Sequence, residues 1–405
     1  MQSGFFICCD LAILYGQNNF MKLPFTYGVE MAVHKKMLSH FSAVGMLTNN
    51  AATTTAGVLS RLYLLQNGVN ICTLFAPEHG MATRGEDGCP QQHGVDAVTK
   101  LPIVSLYFEG TSVSPNDLLG LDAVVIDLPD VGARFYTYLW SATHLMEACA
   151  VMDIPVFFLD RPNPLGAILD ESEGPWLDEQ CCSSFIGRWN IPLKHGCTPG
   201  ELACYFQRTK IPRLRLEVVA MDHFHREVRA GFDYPFLPTS PALKRWQAVH
   251  LYPASCLFEG LNINEGRGSA TPFEWIGAPW LDASVILQIF PHDAFPSITL
   301  KANALTPSWA LYEGVHCNGI SIDIHKPLVN AVSLGFRLLQ CIAEHHHEEL
   351  MTRPYPTLAN PTGNEHLDRL TGVSHFYDNL MKGILPSTNI ADDWYEKIKG
   401  YMIYQ

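Results

Sequence analysis

The sequence is poor in charge and has no long apolar run. Only 17% of its 405 residues are charged, 47% are hydrophobic, and no polar low-complexity tract interrupts them. A disordered chain needs the opposite balance. No stretch reaches the roughly 18 consecutive apolar residues of a membrane span. Positive charge is the scarcer sign, with 27 Lys and Arg against 40 Asp and Glu and a net charge of −13. That leaves no basic stripe for nucleic acid and disfavours adsorption to anionic lipid. A small anionic ligand is still compatible, because a few arginines in a cleft reverse the local field.

Several chemical signatures are also missing. There is no G-x-G-x-x-G or Walker glycine loop to cradle a nucleotide. There is no H-E-x-x-H, no C-x-x-C and no G-x-S-x-G, which removes the usual zinc, dithiol and serine-hydrolase readings. The twelve cysteines are scattered, with Cys8-Cys9 and Cys181-Cys182 the adjacent pairs. Such usage reads as buried thiols and favours a reducing compartment. The apolar run in Met1 to Gly16 is interrupted by Asp10, and no basic residue precedes Lys22. It is a poor signal peptide, and Met21 is an alternative start.

What is present is an alternation of strand and helix. Ser42–Thr48, Asn70–Phe75, Ile103–Tyr107, Ala123–Leu128 and Pro155–Leu159 read as short buried strands. Ala56–Gln66 and Tyr136–Met152 carry helical spacing between them, and Pro327–Leu350 reads as one long helix. The βαβα order predicts an α/β fold, a Rossmann-like doubly wound and mostly parallel sheet. The length suits two domains, and the Pro- and Gly-rich stretch Gly231–Pro241 marks their junction. The expected division is an N-terminal extension 1–24, a sheet domain 25–235 and a second domain 236–405.

In such sheets ligands bind beyond the carboxyl ends of the strands. Four polar loops fall there: Thr48-Asn49-Asn50, Ala76 to Gly80, Pro129 to Tyr138, and Asp160 to Pro164. Glu78 stands out, a carboxyl between Pro77 and His79 in an otherwise apolar stretch. Desolvation there would raise its pKa and suit it to general acid catalysis. Asp130 and Arg134 are spaced to pair on a helix, and Asp160-Arg161 sits in a proline-stiffened turn. Structural and functional roles weigh equally for these two loops. Thr198-Pro199-Gly200-Glu201 reads as a capping box, so Glu201 is a cap rather than a catalyst. His345 to His347 suits a helix C-terminus, and three consecutive residues do not share the face a metal needs. In the second half, Glu259 to Gly268 flanks Glu265 and Arg267 with glycines that allow close backbone approach to a ligand.

Together, FAPEHG (75–80), DLPDVGARFYTY (127–138), LDRPNP (159–164), HGCTPGELA (195–203) and FEGLNINEGRGSATPFEWIGAPW (258–280) resemble the NamZ family of exo-β-N-acetylmuramidases. The resemblance runs from about Phe25 to the C-terminus. It implies a smaller C-terminal α/β domain closing a cleft, with no metal and no cofactor. It also implies release of terminal N-acetylmuramic acid from the non-reducing ends of peptidoglycan-derived oligosaccharides. Glu78 is the implied catalytic acid and Glu265 a second catalytic carboxylate. Asn49, His79, Asp130, Arg134, Tyr136, Arg161, Asn163 and Arg267 are the expected substrate-binding residues, and at least one of the three arginines is expected to face the lactyl carboxylate. The family is usually exported, to the periplasm or beyond, which opposes the poor signal peptide and leaves the cytoplasm open. Departures from the family pattern are Pro129 for Gln, Ala242 for Asn in S-P-N, the loop Thr48 to Ala52, and the irregular stretch Met81 to Pro90. Ala242 keeps alive the alternative of a glycan-binding protein without turnover. A sugar-phosphate or nucleotide enzyme is the third reading, and the missing glycine fingerprint counts against it.

Overall fold

The computed structural model describes residues 23–405. The expected N-terminal extension lies almost wholly outside them, as do Cys8-Cys9 and Met21. Seven strands form one sheet: β1 (Val44–Leu47), β2 (Ile71–Ala76), β3 (Gly94–Val95), β4 (Pro102–Ser105), β5 (Ala123–Ile126), β6 (Val156–Leu159) and β7 (Leu216–Val219). Their spatial order is β3-β4-β2-β1-β5-β6-β7, parallel throughout except for the short edge strand β3. The central strands β1 and β5 are buried along their whole length. That is why they read as apolar runs without alternation.

From β1 the chain winds outward through β2 and β4 on one side and through β5, β6 and β7 on the other. The strand order therefore reverses between β1 and β5, and a crevice opens beyond their carboxyl ends. Asn49, Glu78 and Asp130 all belong to loops leaving this region.

A second unit carries a three-stranded antiparallel sheet, β8 (Trp275–Ala278), β10 (Asn318–Ile324) and β9 (Ile298–Ala302) in that spatial order. The helix Trp246–Ser255 packs against the helix Ala331–His345. The latter is shorter than the Pro327–Leu350 expected from sequence. It starts after Asn330 and ends before His346, whose Nε2 accepts the backbone N–H of Asp282 at 2.9 Å. The Gly-rich segment after Glu259 closes with strand β8, where Gly277 lets the Trp275 ring lie against the backbone. The capping box is present: Thr198 accepts from Glu201 N, and Glu201 accepts from Thr198 N. No helix among the described residues is long and apolar enough to cross a membrane.

Buried polar groups stitch the two units together. Glu173 accepts the N–H groups of Val332 and Ser333 at 2.9 Å each, at the start of the helix Ala331–His345. A carboxylate is favoured at that end of a helix. Lys194 Nζ donates to Val329 O at 2.6 Å, and Trp394 Nε1 to His195 O at 2.8 Å.

Candidate active site

Strand β2 runs straight into Pro77, where the chain reverses sharply. His79 and Gly80 both adopt left-handed backbone angles, φ 66° and 68°, and Gly80 N donates to Pro77 O. A histidine in that region is strained, and such strain is held by surrounding contacts at functional sites. Here His79 Nδ1–H donates to Gly85 O at 2.9 Å. The turn delivers the Glu78 carboxyl into a narrow cleft between the two units, with a cavity volume of about 50 Å³. Glu78 is 4% exposed. One of its oxygens accepts Gly88 N–H at 2.8 Å, the other the Thr137 hydroxyl at 2.7 Å.

The same loop brings in a second carboxyl. Asp87 lies within 4.8 Å of both Glu78 and His79. It accepts the Tyr355 hydroxyl at 2.6 Å and sits 3.4 Å from Arg267 Nη2. Arg267 is ringed by carboxylates, Glu259 at 2.7 Å and Glu265 at 2.9 Å, the latter off the hydrogen-bond axis. His366 stacks on Tyr355 and points Nε2 at Glu259, 3.4 Å away.

The two cleft carboxyls are driven apart in acidity. Burial raises Glu78 above the usual carboxylate range, and the charge of Asp87 adds to it against the pull of His79, Thr137 and Gly88. Burial also works to raise Asp87, but Arg267, His79, the Tyr355 hydroxyl and His366 together hold it below the usual range. Neighbouring carboxyls whose acidities are driven in opposite directions are the pairing that acid-assisted bond cleavage uses. Glu78, His79 and Asp87 are also the residues here that could approach a metal ion. The Arg267 guanidinium, 3.4 Å from Asp87, sets a fixed positive charge beside one of these three groups.

Of the residues singled out from sequence, Glu78, His79, Tyr136 and Arg267 line the cleft. The others lie behind it. Glu265 is 2% exposed, raised in pKa by burial against the opposing pull of Arg267, and supports that arginine. Asp130 accepts from Gly132 N and from His195 Nε2, each at 3.0 Å. It does not pair with Arg134. Arg134 is fully buried and donates to the carbonyls of Pro175, Ile191 and Thr371, tying the two units together. Arg161 is bound to Asp127 and to Thr53 O. Asn163 closes its own turn through Leu165 N and Cys197 O. Asn49 accepts from Ala51 N, with its amide nitrogen buried and unpartnered.

Asp87, Glu259, Tyr355 and His366 are cleft residues the sequence reading did not select. Asp87 lies in the irregular stretch Met81 to Pro90, where the flanking Gly85 and Gly88 signalled a turn. Tyr355 and His366 sit in a segment with no motif around them. Ala242 lines the cleft, so the departure from S-P-N falls within the site.

Comparison with known proteins agrees with this layout. The sequence model described as "Exo-beta-N-acetylmuramidase NamZ, N-terminal" matches residues 44–247, and its C-terminal counterpart matches residues 250–404. Peptidoglycan β-N-acetylmuramidase NamZ of Bacillus subtilis (strain 168) is 35% identical over 321 residues, which span 78% of this chain and 76% of that protein. Two crystal structures of DUF1343 family proteins from Bacteroides fragilis NCTC 9343 share the fold. One has a TM-score of 0.81 at 23% identity, covering 95% of this chain and 100% of that one. The other has a TM-score of 0.70 at 24% identity, covering 94% and 99%. With both domain models matched in order along the chain, this protein belongs to the NamZ exo-β-N-acetylmuramidase family.

Proposed function

We propose that this chain is a glycosidase that releases terminal N-acetylmuramic acid from the non-reducing ends of peptidoglycan fragments, with Glu78 as general acid and Asp87 as its ionised partner. The observation that carries this reading is the pair of cleft carboxyls within 4.8 Å whose surroundings push their acidities in opposite directions. Glu78 enters protonated and gives its proton to the glycosidic oxygen as the bond to the sugar carbon breaks. Asp87, its negative charge held in place by Arg267 and Tyr355, bonds to the sugar carbon as the leaving group departs, and a water that gives its proton to Glu78 then displaces Asp87, releasing the sugar and restoring both carboxyls. Glu265 and Glu259 act through Arg267 and are positioning residues.

One oxygen of each carboxyl lies within 4.8 Å of the other, closer than the roughly 6.5–9.5 Å that leaves room for water in inverting enzymes and on the side of the roughly 5–5.5 Å of retaining ones. The expected product is therefore the β-anomer, visible by proton NMR in the first minutes of reaction. Initial formation of the α-anomer would overturn the pairing of Glu78 with Asp87.

N-acetylmuramic acid differs from N-acetylglucosamine by a lactyl ether with a carboxylate. Arg267 is the arginine that lines the cleft, and it is assigned here to that group, together with His79 and His366. One charge-assisted contact contributes about 1.5–3 kcal/mol, a preference of about ten- to a hundredfold for the muramic sugar. Two measurements test the reading. Glu78→Gln should lose about 10²- to 10⁴-fold in kcat while still binding sugar. Chromogenic β-glycosides of the two sugars should be hydrolysed at clearly different rates, and equal rates would refute the lactyl assignment.

A further inference from the structure

The segment 353–364 crosses from the second unit to the catalytic loop of the first. Its root is fixed where Arg353 N donates to Gly260 O at 2.9 Å. Tyr355 N donates to Gly363 O at 2.9 Å, so the two legs of the segment meet and the residues between them form a projecting tip. Thr357 and Asn360 exchange backbone hydrogen bonds across that tip. Leu358 N then donates to Gly88 O at 2.8 Å, while the N–H of the same Gly88 is bound to Glu78. The fit is close: a Cβ on Gly88 would lie 2.7 Å from Thr357 Cγ2, and φ there is +67°. Beyond Gly88 the tip meets Tyr107, whose buried hydroxyl faces Thr357 and the backbone of Ala359. Tyr107 packs on Phe185, with ring centroids 5.4 Å apart. Tyr355, Thr357 and Ala359 all line the cleft.

We propose that this tip, Pro356 to Thr362, is the wall that makes cleavage exo-acting. It closes the cleft beyond the terminal sugar, so a glycan can enter only with its non-reducing end against Thr357 and Ala359. The inference rests on the glycosidase reading above and names the part of the fold that sets its mode of attack. A wall made of backbone, hydrogen-bonded to Gly88 and packed on Tyr107, blocks a continuing chain more firmly than side chains that can rotate aside. Because it is tied to the peptide that binds Glu78, it also fixes the first sugar at a constant distance from the acid.

The test exploits the closed root of the segment. Replacing Thr357–Pro361 with two glycines leaves Tyr355 and Gly363 able to pair and leaves every cleft carboxyl in place. Wild type should release only the monosaccharide from a peptide-free glycan of several repeats. The trimmed variant should also release internal fragments, while it still hydrolyses the chromogenic monosaccharide glycoside at a reduced rate. A second variant, Thr357→Gly with Ala359→Gly, covers the case in which trimming prevents folding. It is assayed on a chromogenic muramic glycoside whose 4-hydroxyl carries a methyl cap. Wild type should hydrolyse the capped glycoside at least about tenfold more slowly than the free one, the cost of a misfit of one carbon, and the double glycine variant should recover most of that loss. Folded variants that still release only monosaccharide and still reject the capped glycoside would overturn the wall. A wild type inactive on every muramic glycoside would instead overturn the glycosidase reading beneath it.

Discussion

Replacing Asp87 with asparagine removes a negative charge within 4.8 Å of Glu78 and keeps a side chain of the same shape beside Tyr355. Two unit charges at that distance interact by about 0.9 kcal/mol at the dielectric constant of water and about 3.5 kcal/mol at an effective value of about 20. The Asp87 side chain is 31% exposed toward the cleft, which favours the lower part of that range. At about 1.36 kcal/mol per pKa unit, the Glu78 pKa should fall by roughly one unit in Asp87→Asn. The direction is fixed by two effects of the same sign. The ionised form of Glu78 loses a repelling neighbour, and Arg267 loses one of the anions that offset its charge. Carbon-13 NMR titration of carboxyl-labelled protein, with Glu78→Gln to identify the resonance, reads this without requiring turnover. Any residual activity should show the high-pH limb of kcat/KM displaced downward, because that limb follows loss of the proton from the acid. An unchanged or raised Glu78 pKa would refute the claim that Asp87 helps to keep Glu78 protonated.

Further outcomes are expected away from the cleft. Glu201→Gln should leave kcat unchanged and cost at least the ~1 kcal/mol of a helix cap, because it also removes the buried Arg226 ion pair; a fall in kcat at equal folding would contradict the capping role. Burial pushes Asp160 up to about 7, above its unfolded value, so the folded state holds a proton that the unfolded state releases. Its stabilising contribution is fully present below the unfolded pKa and is lost as pH rises to about 7; urea unfolding of wild type and Asp160→Asn across that window should converge toward low pH. Tyr404→Phe removes the hydroxyl that donates to Asp160 at 2.7 Å and accepts from Met221 N at 2.8 Å. It should cost about 1–3 kcal/mol, and a variant as stable as wild type would show that the C-terminal tail contributes nothing through this contact.

The three arginines show how far a sequence can be read. Arg134, Arg161 and Arg267 all sit in loops next to the crevice, and residue type alone gives each the fork that binds a carboxylate. Their fates are settled by partners far away in the chain: Pro175, Ile191 and Thr371 for Arg134, Asp127 and Thr53 for Arg161, and Glu259, Glu265 and Asp87 for Arg267. Nothing within a few residues of an arginine distinguishes one that bridges two domains from one that faces a ligand.

Local rules were enough for the parallel sheet, because β1 and β5 are buried along their whole length and so carry apolar runs that periodicity detects. They were enough for the capping box at Thr198, whose partners are three residues apart. They also drew attention to Glu78, a lone carboxyl between proline and histidine at a strand end, which the fold places in the cleft. The choice of its partner was different in kind. Glu265 carries the recognisable glycine-flanked pattern, yet the carboxyl beside Glu78 is Asp87, from an irregular stretch without one. It is held there by Tyr355 and Arg267, 268 and 180 positions away along the chain. A side chain's acidity depends on what surrounds it in space, and in this protein those surroundings come from three separate parts of the chain that only the tertiary fold brings together.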